Sequence, residues 1–360
     1  MSLIEYPFLP TTTLTSVTLF EGQIDVDLLY FLLPITYLNL DKLHYKKIPT
    51  CVIKGAILSV RYKGCNRGFV KDTCFKNSLM IDLSMGNKNV SIKLSQKKIQ
   101  LCGASSEQMS KEAGDIILAY ILKIQEFLQI FNRDDEQVRK TIDWVIENTR
   151  EYSKEHNVFL SRQPENFSLY DYKFPEGVHE DLARWLIPYI TDYVYHDDYI
   201  KFIQYIKTIK NVIVTDEVIL KPVEIKMKNH NYLIPFVINR GKLFKLFKTL
   251  KDWIVIHDAT WDKSVKLLRL SDEKKSKMKC EEEELLDKYH TFIIFSTGSV
   301  TQSGPNSEEI ERFYNEFNRI IRENRDTIEL KTNHFTMRKI RIPTLHNKIQ
   351  RPAPPYHDIF

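Results

Sequence analysis

The chain has 360 residues, enough to bury a sizeable core and to form more than one domain. Hydrophobic residues make up 43% and charged residues 28%, a globular balance that excludes a disordered or fibrous protein. The net charge of +5 is compatible with a polyanionic partner, but proteins without such a partner often carry it too. No run approaches the roughly 18 apolar residues of a membrane span, so we expect no membrane partner.

The N-terminus and the cysteines indicate a compartment that keeps thiols reduced. The first residues lack a basic region and include Glu5, so they do not resemble a secretory signal. The five cysteines are scattered and form no CxxC pair. We therefore expect a protein of a cytosolic or nuclear-type compartment that is not secreted.

The first segment, residues 1–131, predicts strands and two helices. Alternating β-branched residues predict strands at 14–22, 52–64, 78–85, 90–95 and 99–103. A short helix is predicted at 25–35 and a long one at 105–131. Ser105 and Gln108 have the spacing of a capping box at the start of the long helix.

The remaining chain divides into three further segments. Residues 132–220 predict an inserted helical linker. Its first part, 135–156, is predicted to be an exposed helix, and the aromatic residues of the later part either pack on the sheet or dock a partner. Residues 221–330 repeat the order of the first segment, with a strand at 231–239, a helix at 240–250, strands at 253–261 and 264–270, a hairpin and a last helix. That helix is predicted to start at Asn306 with Glu309 as its capping partner. The tail, 331–360, is proline-rich and extended.

An internal repeat links the first and third segments. Residues 89–121 and 290–322 both give strand, turn, strand, glycine and helix, and Gly103 aligns with Gly304. A supersecondary unit used twice predicts a pseudo-symmetric α+β fold. Helices would cover one face of an antiparallel sheet, and the other face would need a partner.

The sequence lacks the motifs of common catalytic sites. There is no P-loop, no GxGxxG, no HExxH and no GxSxG. Cys65 and Cys74 lack zinc-site spacing, and the acidic run at 281–284 is most simply a solvated surface. We therefore predict a protein that is not an enzyme and that uses no cofactor or metal. An enzyme built on a helix-covered antiparallel sheet stays open as an alternative.

The repeated unit resembles the saddle repeat of the TATA-box-binding protein family. The second copy, FIIFSTGSVTQSGPNSEE, is close to the family's pattern of an apolar strand ending in Phe, a Ser-Gly turn, a glycine and an acidic helix start. The first copy, VSIKLSQKKIQLCGASSEQ, is weaker. The resemblance implies two repeats that form a curved antiparallel saddle sheet, with helices on the convex face and DNA on the concave face. It is closest to divergent relatives encoded by large DNA viruses, which implies a nucleus-type compartment or a viral factory in the cytoplasm.

The resemblance assigns apolar wedges, which replace a lost stacking partner between base steps. Residue by residue, Phe75 and Trp261 correspond to the first wedges of the two repeats, and Leu94 and Phe295 to the second wedges.

The resemblance also assigns contacts on the concave face. Asn231 corresponds to an asparagine that recognises minor-groove acceptors, and Lys98 to a lysine in the hairpin turn. The other positions of the concave face that would meet the minor groove hold small or polar residues, namely Gln100, Cys102, Thr301 and Ser303. The counterpart of Lys98 is Ser299, so fewer phosphate contacts are expected than in the family.

The implied function is that of a DNA-binding transcription initiation factor. Its partners would be AT-rich double-stranded DNA, bound through the minor groove, a transcription factor IIB-like protein and RNA polymerase. The acidic segment that docks transcription factor IIB has no match at 257–259. The alternative is a saddle-shaped protein-interaction scaffold in a viral transcription or virion complex that no longer binds TATA DNA.

Overall fold

The computed structural model describes residues 9–35, 54–68, 78–133, 135–154, 174–186, 189, 196–257, 263–270, 289–305 and 308–331. The chain forms two compact units. The N-terminal unit is Thr12–Met227, and the C-terminal unit is Lys228–Phe360 together with Met1–Thr11. The helical insert therefore belongs to the N-terminal unit.

The N-terminal unit contains an antiparallel sheet with the strand order β3-β2-β4-β5-β6-β1, and β7 pairs with β1. Its strands are β1 (Thr11–Glu21), β2 (Lys54–Tyr62), β3 (Cys65–Gly68), β4 (Leu79–Met85), β5 (Asn89–Ser95), β6 (Lys98–Ala104) and β7 (Ile219–Leu220). Its helices are α1 (Val26–Leu32), α2 (Glu107–Phe131), α3 (Glu136–Lys154), α4 (Glu180–Leu186) and α5 (His196–Ile206).

The C-terminal unit has the strand order β8-β12-β11-β10-β9. The pairs β12–β11, β11–β10 and β10–β9 are antiparallel. Its strands are β8 (Glu224–Leu233), β9 (Trp253–Ile256), β10 (Ser264–Leu270), β11 (Tyr289–Phe295) and β12 (Ser299–Pro305), and its helices are α6 (Arg240–Lys248), α7 (Glu309–Glu323) and α8 (Arg325–Ile328). Strand, short helix, further strands and a long helix thus follow one another in both units.

In each unit a hydrophobic core lies between the helices and one face of the sheet. Alternate residues of β5 and β6, such as Ile92 and Leu101, are buried with Ile117 and Leu128 of α2. In the C-terminal unit Phe292 stacks on Phe317 of α7, with 4.7 Å between ring centroids. This alternation follows from the two-residue period of a strand, and it leaves the other residues on the opposite face.

The long helix α2 starts one residue later than its sequence predicts. The N-cap is Ser106, whose side chain accepts a hydrogen bond from the backbone N–H of Met109, whereas Ser105 lies outside the cap. The predicted capping box of Ser105 and Gln108 is therefore wrong, although the helix and its apolar stripe are present. Asn306, the predicted start of the last helix, lies outside the described residues.

The insert packs into the core of the N-terminal unit. Trp185 of α4 stacks on Phe127 of α2, with 5.0 Å between ring centroids, and contacts Tyr189 edge to face. Val138 and Val145 of α3 are buried as well, although the sequence predicts an exposed helix there. The charged positions of α3 form only one side of it, and the apolar side covers the unit's core.

Equivalent backbone contacts position the short helices α1 and α6. Asp25 and Asn239 are the N-caps, and each side chain accepts a hydrogen bond from a backbone N–H in the first turn, at 3.0 and 3.1 Å. The N–H of Asp25 donates to the carbonyl of Val212 at 2.8 Å. The N–H of Asn239 donates to the carbonyl of Ile328, also at 2.8 Å.

These contacts locate the insertion. In the C-terminal unit α7 ends at Glu323, and the chain reaches the Ile238–Glu329 bridge within one turn of helix. In the N-terminal unit the equivalent Ile24–Ile213 bridge follows α2 only after α3, α4 and α5. The insert thus lies between the long helix and the segment that closes the unit.

Among the helices of the described residues, none combines the length and the apolar composition that a membrane span requires.

Candidate nucleic-acid interface

The C-terminal sheet has one face that points away from its core, called here the C-terminal open face. It is formed by alternate residues of five strands: Asn229, Asn231, Leu233, Ile254, Ile256, Ser264, Lys266, Leu268, Leu270, Tyr289, Thr291, Ile293, Phe295, Ser299, Thr301, Ser303 and Pro305. Among the described residues this face carries no acidic side chain and one cation, Lys266. Its character is apolar and uncharged polar, which suits a surface that must approach base edges.

Exposed apolar side chains are concentrated on this face. Ile254 and Ile256 are 49% and 47% exposed, and Leu233 is 55% exposed. Single exposed apolar residues are ordinary, but several on one sheet face indicate a binding surface. Because about half of each isoleucine is accessible, burying that surface against a ligand should stabilise a complex by roughly 1 kcal/mol per side chain.

Phe295 ends β11 on the C-terminal open face, beside a three-residue turn, and is 36% exposed. Gly298 closes the turn with φ +85°, and an added Cβ would lie 2.3 Å from the carbonyl oxygen of Ile234. Only glycine fits this position. The carbonyl of Gly298 accepts a hydrogen bond from the N–H of Ile234 at 2.8 Å, which fixes the turn against the end of β8.

The other predicted contact residues of this unit lie on the same face. Asn231 is exposed, while Thr301 and Ser303 of β12 are partly buried. Thr301 pairs with Ile293 and Ser303 pairs with Thr291. The structure therefore brings Asn231, Phe295, Thr301 and Ser303 onto one surface.

The N-terminal unit places its predicted contacts less uniformly. Lys98 is exposed, and Gln100 and Cys102 are partly buried on the face opposite the core. Leu94 is fully buried in the core. This corrects its assignment as a wedge, because a side chain with no accessible surface cannot enter a duplex.

Turn length explains why Leu94 is misassigned. Two residues, Gln96 and Lys97, join β5 to β6, whereas three residues join β11 to β12. Leu94 pairs with Ile99, and in the other hairpin Ile294 pairs with Val300. The structural counterpart of Leu94 is therefore Ile294, which is also buried.

It follows that Phe295 has Ser95 as its counterpart in the first hairpin. A shift of one residue moves a side chain to the other face of a sheet. Phe75 and Trp261, the other two predicted wedges, lie outside the described residues.

A polar cluster that the sequence did not predict lies on the N-terminal sheet. Asp82 of β4 accepts hydrogen bonds from the hydroxyl groups of Ser59 at 2.7 Å and Ser91 at 2.6 Å, and from the guanidinium of Arg61 at 3.0 Å. The Arg61 and Asp82 side chains are only 3% and 1% exposed. A lone Asp within the apolar strand LMIDLSM was the available signal.

The C-terminal unit also contains a buried histidine on the core side. His290 of β11 is fully buried, its ring contacts Phe313 edge to face, and its Nε2 atom lies 3.7 Å from a carboxylate oxygen of Glu309. Burial lowers the pKa of His290 to about 4, although Glu309 opposes the shift. This histidine is therefore a neutral core residue. Within the described residues no group of three or more His, Cys, Asp or Glu side chains could hold a metal ion.

Comparisons with known proteins identify no family. No protein-family model matches the sequence, and no curated protein matches it. Among solved structures the chain is similar to one described as "Methanococcus jannaschii TBP", with a TM-score of 0.35 and 11% identity over 88% of this chain and 98% of that chain. A TM-score of 0.35 decides neither fold family nor function, so any function must be argued from the geometry above.

Proposed function

We propose that this chain binds double-stranded DNA and that its two units are pseudo-symmetric repeats of the TATA-box-binding type. The C-terminal open face would lie on the minor groove of AT-rich DNA. In the same proposal the protein acts in transcription initiation and helps to recruit RNA polymerase.

The observation that carries the proposal is the chemistry around Phe295. An exposed ring ends a strand on an acid-free face, beside apolar side chains and the uncharged donors of Asn231 and Thr301. A flat apolar ring can replace a base-stacking partner at a kinked step. Uncharged donors suit the N3 and O2 acceptors that A·T pairs present in the minor groove.

The repeat relationship is supported by the contacts shared between the units. Asp25 and Asn239 cap equivalent helices, and the bridges Ile24–Ile213 and Ile238–Glu329 occupy the same place in the order of elements. Independent folds have no reason to reproduce such a set of contacts.

Binding to short duplexes tests the proposal. Fluorescence anisotropy on an AT-rich and a GC-rich duplex at several salt concentrations should show preference for the AT-rich duplex and weakening as salt rises, because cations on DNA are released on binding. Absence of binding to either duplex at low salt would refute the proposal.

A protein-interaction scaffold is the second candidate. The observation in its favour is β9, the last strand in the described order of the C-terminal sheet, which exposes Ile254 and Ile256 next to that edge. Such a surface could also receive an apolar protein segment. Co-purification of RNA polymerase subunits from nuclease-treated extract, with no duplex binding by the purified chain, would favour the scaffold.

A further inference from the structure

Lys266 is the cation of the C-terminal open face, and it lies inside the apolar strip. Its strand neighbours Val265 and Leu267 are buried, so Lys266 points away from the core and is exposed. The residues directly across from it are Ile256 on β9 and Ile293 on β11. Within the part of the chain that the structure describes, no carboxylate forms an ion pair with its ammonium group.

The strand register relates Lys266 to Phe295. Phe295 pairs with Ser264, and Lys266 follows two residues later on the same face. Diagonal neighbours of this kind lie about 7–8 Å apart. Successive base pairs rise about 3.4 Å, so this separation corresponds to about two base pairs.

An ammonium group at this place would discriminate between base pairs. Lysine can only donate hydrogen bonds. In the minor groove A·T and T·A pairs present only acceptors, whereas a G·C pair adds the N2 amino donor of guanine. A donor facing that amino group loses its acceptor and meets another donor.

We infer that Lys266 selects A·T over G·C pairs within about two base pairs of the step that Phe295 enters. The inference rests on the proposed function, since it needs this face to lie on the minor groove. It assigns base selection to a charged residue that lies between two isoleucines, one strand in from β9, whereas a lysine that binds phosphate is expected at the rim of such a surface.

The test compares three duplexes that differ at one base pair: A·T, G·C or inosine·C. Inosine lacks the N2 amino group but otherwise keeps the G·C pairing geometry. The pair is moved in turn through the positions on each side of the kinked step. Wild-type chain should bind the A·T and inosine·C duplexes about tenfold more tightly than G·C at one such position.

Lys266→Met keeps the length of the side chain and removes its charge. We expect its preference at that position to fall below about twofold, because the selecting donor is gone. Lys245→Met, on the exposed side of α6, is the matched control and should keep the wild-type ratio. Thermal melting of both variants checks that the fold is intact.

The outcomes separate the inference from the proposed function. If Lys266→Met keeps the tenfold ratio and only makes the salt dependence shallower by about one charge, Lys266 contacts a phosphate and the inference is wrong. If the wild-type ratio is the same for G·C and inosine·C, the amino group is not sensed and the inference is wrong. If the wild-type chain binds no duplex, the proposed function itself fails.

Discussion

The hairpins β5–β6 and β11–β12 contain the two copies of the internal repeat, and they differ by one residue in the turn. Phe295 and Ser95 occupy equivalent places on the face away from the core, and their neighbours Ile294 and Leu94 are both buried. The chemistry of this place therefore differs through a phenylalanine in one unit and a serine in the other, and the extra turn residue hides the equivalence from an ungapped alignment, which pairs Phe295 with a residue of the opposite face. The C-terminal unit gained an exposed ring, and the N-terminal unit has none from this strand.

Gly103 and Gly304, the aligned glycines of the repeat, are required for different physical reasons. Gly103 has φ +104°, a backbone conformation that glycine adopts without strain. Gly304 is required instead by its neighbour, since an added Cβ would lie 2.2 Å from the Nδ1 atom of His290. Glycine at aligned positions thus permits a backbone conformation in one unit and leaves room for a side chain in the other.

The largest effect is expected from the buried ion pair of the N-terminal unit. Asp82→Ala leaves the guanidinium of Arg61 buried without its carboxylate, which should lower the free energy of unfolding by about 3–5 kcal/mol. Urea titration followed by fluorescence measures it. Lys63→Met breaks the exposed Lys63–Asp27 pair and should cost much less than Asp82→Ala, because solvent screens an exposed ion pair. Equal losses in the two variants would contradict the buried pairing.

The pH dependence of the free energy of unfolding should contain a part that is due to His290. Because burial lowers its pKa to about 4 from 6.5, the unfolded chain binds this proton more readily than the folded chain. The contribution of neutral His290 to the free energy of unfolding should be fully present above pH 6.5. It should fall by roughly 3 kcal/mol as the pH drops to 4. In His290→Asn this part of the pH dependence should disappear, and a variant with the wild-type slope would show that another group is responsible.

Alanine in place of Gly304 and of Gly103 should destabilise the two units for different reasons. Gly304→Ala should cost about 1–3 kcal/mol through overpacking against His290. The double variant Gly304→Ala with His290→Ala should recover part of that loss, because the clash is removed. Gly103→Ala should cost about 1–2 kcal/mol from backbone strain, and His290→Ala should not restore it. Equal coupling of His290 to both glycines, measured by urea unfolding, would contradict the assignment.

Much of the fold was predictable because it depends on local periodicity. The apolar run FIIF and the alternation in VSIKL predicted strands, and the 3.6-residue stripe of α2 predicted the face that packs on the sheet. Alignment on the shared glycine also placed Gln100 with Thr301 and Cys102 with Ser303 on corresponding faces, as the structure has them.

The remaining features depend on information that an ungapped alignment lacks. The assignment of Leu94 was wrong because the two turns differ by one residue, and a shift of one residue exchanges the faces of a strand. The Arg61–Asp82 pair could not be predicted because it depends on the register between β2 and β4, which contains two irregularities. The packing of α3 was missed because its charged side dominates the composition of that segment.

If the C-terminal open face contacts DNA through Phe295, a bound duplex should be bent, and the bend angle can be measured. Energy transfer between dyes at the two ends of an AT-rich duplex should report a bend with the wild-type chain and with Ser95→Ala. Phe295→Ala should lose most of the bend and about tenfold in affinity, because the stacking substitute is gone. Full bending by Phe295→Ala would show that this ring does not kink the duplex.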